Sequence, residues 1–256
     1  TSALYNTAVG SNALGANVDG DNNTAVGYLA LADFEADTDS HGHNTAIGSK
    51  AMENASTGTH NTSVGSLSMG VGVTTGNENE AIGYRAGEDL TSGIRNSLVG
   101  SYAGAQLTSG NYNVSMGYGA LSLEDTHGAN VALGYSALGT LNAGAEGYNV
   151  AVGFSAGVAM TTAINNVLIG GLAGDAITSG NQNVFIGRDS GGANTIGNSN
   201  IAIGKDALAT NVAADRNVAI GHGSLSQMTA ASTTDTYNTA VGYLAGTVIS
   251  SGVSNT

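Results

Sequence analysis

Cysteine, proline and tryptophan are absent from this 256-residue chain, and phenylalanine occurs 3 times. Without cysteine there are no disulfides and no thiolate metal ligands, and the redox compartment stays open. So few bulky side chains exclude an ordinary compact core built on aromatics. The lack of proline leaves every residue with a backbone N–H to donate, as a stack of hydrogen-bonded coils requires. Positive charge is scarce too: 6 Lys and Arg stand against 19 Asp and Glu, a net charge of -13. That balance argues against nucleic acid or anionic lipid as a partner. Residues 1–128 carry 13 of the acids and 3 of the bases, so the first half is the more acidic. No run approaches the ~18 apolar residues of a membrane span. No signal-peptide pattern opens the chain, and Thr1 in place of Met reads as a processed product or part of a longer protein.

What the chain has in abundance is glycine, 40 residues of it, and a pentapeptide, "NTAVG", at 6–10, 23–27 and 238–242. Allowing variants, the pentapeptide occurs fourteen times, starting at Asn6, Asn23, Asn44, Asn61, Asn79, Asn96, Asn113, Asn130, Asn149, Asn166, Asn183, Asn200, Asn217 and Asn238. Nine of the thirteen spacings are 17 residues and the others are 18, 19, 21 and 21. A unit this short cannot hold a helix pair, which needs about 33 residues or more. It suits one coil of a β-solenoid made of two short strands and two turns, so the whole of 1–256 reads as a single repeat array of about fourteen coils.

Taking Asn as position 1, position 4 is always a large apolar residue, position 5 always Gly and position 8 always Ala or Ser. Positions 2 and 4 share one strand face, because side chains alternate with a period of two. Their β-branched residues are expected to point into the coil, with the glycine turning the chain just after them. Asn at position 1 suits a left-handed corner, and stacked asparagines can bond to one another in a ladder. In seven coils a glycine three residues before the next Asn (Gly20, Gly58, Gly76, Gly93, Gly110, Gly180, Gly197) marks the other turn. Parallel coils at about 4.8 Å would stack into a thin rod with a meagre core. The small residues at positions 3 and 8 are therefore expected to admit a neighbouring chain. The terminal "SSGVSNT" at 250–256 reads as the start of another turn.

The stretches "NTAVGYLAL" (23–31), "NVALGYSAL" (130–138), "NVAVGFSAG" (149–157) and "NIAIGKDAL" (200–208) resemble the YadA-like head repeats of trimeric autotransporter adhesins. They are still more similar to the Asn-Thr-Ala-Val-Gly-Tyr repeats of bacteriophage tail fibres. The resemblance spans residues 6–246. It implies a left-handed parallel β-roll, three chains around one axis, and a structural and adhesive role in host attachment, on a virion tail fibre or an extracellular surface. It further implies a cell-surface glycan or protein as partner. The 17-residue period with insertions, longer than that of adhesin heads, favours the phage-fibre kinship.

Several side chains are candidates for contact or chemistry. His43 and His60 precede the position-1 Asn of successive coils and are expected to stack one strand spacing apart, with His41 on the same face. This trio is the candidate site for a divalent metal. Asp33, Glu35, Asp37 and Asp39 alternate in the insertion 32–43, where carboxylates on one face suit calcium or a solvated loop. Glu78 and Arg95 are expected to pair from coil to coil. Tyr28, Tyr84, Tyr118, Tyr135 and Tyr243, with Phe154, follow the position-5 glycine and are candidate receptor contacts. The insertions 32–43 and 227–237 are candidates too, since loops on a rigid scaffold carry recognition. No nucleophile–base spacing and no phosphate-cradling loop is present, so the expected role is not enzymatic. A monomeric solenoid that binds ice is a rival of another class; it needs a flat, regular threonine array, and position 2 has Thr only at Thr7, Thr24, Thr45, Thr62 and Thr239, with Val or Ile in much of the second half.

Overall fold

The computed structural model describes residues 3–35, 42–229 and 235–256. Among these there is no helix, and fourteen strands of three residues run from Thr7–Val9 to Thr239–Val241, one after each position-1 Asn. The strands are parallel, and the chain is an all-β solenoid with one strand per coil where two were expected, the rest of each coil being a run of turns. Its Cα packing divides into two compact units, Thr1–Ala129 and Asn130–Thr256. In the first, Thr7, Ala8 and Val9 pair with Thr24, Ala25 and Val26. In the second, Val131, Ala132 and Leu133 pair with Val150, Ala151 and Val152. Equivalent positions therefore lie directly above one another, and each repeat column becomes a physical column.

The position-1 asparagines are the polar spine of each unit. From Asn23 to Asn238 they are at most 2% exposed. In the first unit the backbone N–H of Asn61 donates to Asn44 Oδ1 at 2.9 Å, and that of Asn79 to Asn61 Oδ1 at 2.9 Å. In the second, Asn183 N–H donates to Asn166 Oδ1 at 2.9 Å, and Asn200 N–H to Asn183 Oδ1 at 2.9 Å. Each amide NH2 then closes its own coil: Asn96 Nδ2 donates to the Gly110 carbonyl at 2.9 Å, Asn183 Nδ2 to Gly197 at 2.9 Å. The expected ladder is present, and it runs mostly from side chain to backbone. The pre-Asn glycines are the acceptors of this closing bond. The terminal segment does begin another turn, for Asn255 N–H donates to Asn238 Oδ1 at 3.1 Å, a rung the pentapeptide pattern does not reveal.

Two expectations are corrected. The left-handed corner is not the asparagine but the residue before it: Tyr5, Asn22, His43, His60 and their equivalents through Tyr237 have φ between 48° and 61°. Second, positions 2 and 4 do not point into the coil. Burial along the strands reads partly exposed, buried, partly exposed, with Ala25, Ala46, Ala132, Ala151 and Ala202 at position 3 sealed inside. The reason is the asparagine itself. Once position 1 turns inward to hydrogen-bond, alternation sends position 3 inward and positions 2 and 4 outward. The small residues at positions 3 and 8 consequently line each chain's own interior, and they are not a surface on which another chain can settle.

Leucine and methionine at position 9 fill the rest of that interior, as at Leu31, Met52, Met69, Leu121, Leu138, Leu208 and Leu225, all fully buried. Where position 3 is large, position 9 becomes glycine in the same coil and in the one before. Leu98 lies between Gly87 and Gly104, at 2.8 Å from where a Cβ would sit on each, and Phe185 likewise crowds Gly174 and Gly191. Core volume is thus conserved within pairs of coils, as close packing demands. The position-5 glycines have φ from 123° to 143°, and a Cβ on Gly187 would lie 2.7 Å from the Gly204 carbonyl. Both the conformation and the tight stacking require glycine there.

Candidate interaction surface

Because positions 2 and 4 face outward, each unit presents a ribbon two side chains wide. In the second unit it is wholly aliphatic through six coils, from Val131 and Leu133 to Val218 and Ile220, before Thr239 and Val241. These residues are partly exposed, Ile169 at 39% and Val241 at 65%. In the first unit the ribbon is mixed: Thr7, Thr24, Thr45 and Thr62 alternate with Val9, Val26, Ile47 and Val64, followed by Glu80 and Ser97. An in-register β-branched sheet face on the surface of a single chain exposes far more contiguous apolar area than scattered surface leucines do.

Beside the ribbon runs the left-handed column before each Asn. His43 and His60 stack there, as expected, with ring centroids 4.9 Å apart and planes 8° from parallel. His41 lies outside the described residues, as do Asp37 and Asp39; Asp33 and Glu35 are exposed on either side of buried Phe34. Further along, Arg95 Nε donates to Glu78 Oε2 at 2.7 Å, the coil-to-coil pair expected, and Arg95 also reaches Tyr112. That hydrogen bond and the Arg95 charge hold the Glu78 carboxyl below its ordinary pKa.

On the opposite flank of the ribbon the candidate aromatics stand exposed: Tyr28, Tyr84, Tyr118, Tyr135, Phe154 and Tyr243. Tyr135 stacks on Phe154 at 5.2 Å, and Tyr243 on His222 at 5.5 Å. Tyr84 and Tyr118 both meet Tyr102 edge to face, and the Arg85 guanidinium lies 5.3 Å from the Tyr84 ring centroid. Tyr102 sits one position further along its coil, so a search of the column just after the glycine misses it. The aromatics therefore form short clusters down one edge, with no single flat platform.

A second side-chain ladder also escaped the sequence reading. Two residues before the position-1 Asn, Asn77, Asn111, Asn181, Asn198 and Asp215 accept from backbone N–H groups of the preceding coil, Asn111 Oδ1 from Ile94 at 2.8 Å and Asp215 Oδ1 from Asn198 at 2.6 Å. Its signal is the "N-x-N" spacing at 77–79, 111–113, 181–183 and 198–200.

No protein-family model, no curated protein and no solved structure matches the chain. Among the described residues no helix is long and apolar enough to cross a membrane.

Proposed function

We propose that the chain is a segment of a trimeric structural and adhesive fibre, of the kind found in phage tail fibres, in which copies of the chain pack through the outward ribbon of positions 2 and 4. The observation that carries this reading is the placement of Val131, Leu133, Val150, Val152, Val167 and Ile169 on the outside of the coil. A lone solenoid gains nothing from exposing such residues, whereas burying them between chains supplies roughly 25 cal/mol per Å². The repeats' resemblance to fibre and adhesin heads points the same way. The exposed tyrosines are then the surface left free for a host glycan or protein, on a virion or outside a cell; residues 36–41 and 230–234 of the two insertions lie outside the described residues. A bacterial adhesin head shares this physics and differs in its flanking domains.

Light scattering tests the reading. A solution mass about three times the 25.1 kDa of the chain, reduced to one chain by Ile169→Glu with Val184→Glu, is the expected result. A folded monomer refutes it. The outward threonines favour one further reading, since Thr7, Thr24, Thr45 and Thr62 form one column, Thr7 exposed and the other three partly exposed. A monomer that also inhibits ice recrystallisation, and loses that inhibition in Thr24→Tyr with Thr45→Tyr, would establish ice binding instead.

A further inference from the structure

The residue that follows the position-5 glycine is serine, tyrosine, phenylalanine, arginine, lysine or histidine in thirteen coils, and Gly171 is the exception. Neither backbone nor packing requires glycine there. Gly171 lacks the positive φ of the glycines at positions 5 and 9, and no atom outside its two chain neighbours lies within 4 Å of where a Cβ would sit. Its effect is to leave one rung of a side-chain column open, between Phe154 and Arg188 on the adjoining rungs.

Backbone register sets the walls of this gap. Leu172 N–H donates to the Phe154 carbonyl at 2.9 Å and Asp189 N–H to the Gly171 carbonyl at 3.1 Å, so Phe154, Gly171 and Arg188 follow one another in successive coils of the second unit. Phe154 stacks one face on Tyr135, with centroids 5.2 Å apart and planes 10° from parallel, which turns its other face toward the level of Gly171. Phe154 is 58% exposed. Across the gap the Arg188 side chain is 65% exposed, and its Nε donates to Asp189 Oδ2 at 2.8 Å. The comparable place at Ser101 is covered by the neighbouring Tyr102, whose ring meets both Tyr84 and Tyr118. At Gly171 the neighbour is Leu172, which has no ring.

We propose that the open rung holds one uncharged pyranose ring of a glycan. Two strand spacings put the walls ~9.6 Å apart, and van der Waals contact at about 3.7 Å on each side leaves about 2 Å for the thickness of the ligand itself. A flat aromatic ring has none and would sit loosely, whereas a sugar chair with an axial substituent fills the space. The electron-rich phenyl face attracts the positively polarised C–H groups of the chair. Arg188 and Asp189 offer donors and an acceptor side by side, the complement of ring hydroxyls, and their pairing leaves that wall without net charge, which selects a neutral sugar over an acidic one. The proposal rests on the adhesive reading above and names its ligand class, while the site itself lies within one chain.

The test is saturation-transfer-difference NMR of the full chain with methyl pyranosides of the gluco, galacto, manno, N-acetylglucosamine, rhamno and fuco series at millimolar concentration. The expected result is transfer to the ring C–H protons of at least one of them. Gly171→Phe fills the rung with the residue that the coil starting at Asn149 carries there, and Phe154→Ser removes the platform with the residue found at Ser11, Ser49, Ser66 and Ser101, so both should fold, as circular dichroism checks. Each should weaken binding at least tenfold, while Ser49→Phe, which fills the same column in the first unit, leaves it unchanged. Should Gly171→Phe fail to fold, Phe154→Ser decides. Absence of transfer to every pyranoside, transfer unchanged in Gly171→Phe, or loss of transfer in Ser49→Phe overturns the proposal, as does binding of benzoate in place of the sugars. Light scattering separates this outcome from the fibre reading: a folded monomer that binds sugar keeps the site and loses the trimer, and a trimer that binds no sugar does the reverse.

Discussion

Replacing Phe185 and Gly191 together should cost much less stability than the two single replacements imply. Phe185 fills position 3 of its coil, and the space at position 9 is open for it: a Cβ on Gly191 would lie 2.3 Å from Phe185 Cε2. Phe185→Ala leaves a cavity worth about 3–5 kcal/mol. Gly191→Leu forces a side chain into the phenyl ring, an overpacking penalty of about 1–3 kcal/mol or more. The next coil shows the alternative solution, with Ala202 at position 3, Leu208 at position 9 and Asn211 at position 12, against Asn194 in the Phe185 coil. The double variant copies that arrangement. Leu208 tolerates φ 54°, close to the 59° of Gly191, so the residual penalty is the left-handed strain of about 1–2 kcal/mol. Urea unfolding of the parent, both singles and the double should give a favourable coupling of at least ~2 kcal/mol. Additive losses would refute the idea that positions 3 and 9 share one volume.

Gly204→Ala should destabilise more than a typical core truncation, because φ is 128° and the new Cβ would meet the Gly221 backbone at 2.7 Å; a melting temperature within a few degrees of the parent would contradict this. Asn183→Ala leaves the buried Asn200 N–H without its acceptor, a loss of about 1–3 kcal/mol to be read from the urea midpoint, while the Gly197 carbonyl keeps its bond from Asn194 Nδ2. Burial raises the Asp175 carboxyl above its ordinary pKa, so its contribution favours the fold below the ordinary aspartate range and is lost as pH rises through the raised value. Asp175→Asn should therefore melt higher than the parent at pH 7, with the gap closing in acid. Glu78 has the opposite sign: its pKa is lowered by Arg95, so stability from that pair is present above the ordinary glutamate range and fades as pH falls through the lowered value. Replacing Arg95 with Met should make the acid limb of the melting curve shallower.

How much of this was legible in the residues follows from what repeats. Fourteen asparagines at a near-constant spacing, each followed four residues later by glycine, suffice to place the strand after each asparagine and its register, because in a parallel stack equal sequence positions must coincide in space; that each coil holds one strand and not two was not legible. The phase of the strand was not legible from hydrophobicity. Val and Ile at positions 2 and 4 are the most apolar residues of the coil, and the ordinary inference buries them. The deciding quantity is hydrogen bonding at position 1: a buried asparagine satisfied at both ends fixes the parity of the three residues after it, and alanine goes inside because a narrow coil has room for little else. Tyr102 and the "N-x-N" ladder escaped because each lies one or two positions away from the column being followed. The error of phase bears directly on function. Had the β-branched residues been inside, the solenoid would present a bland polar surface and the small residues would have to mediate assembly. With them outside, each unit carries an apolar ribbon on its surface, and the assembly proposed above would cover it with a second copy of this chain, which is itself aliphatic and periodic at the strand spacing.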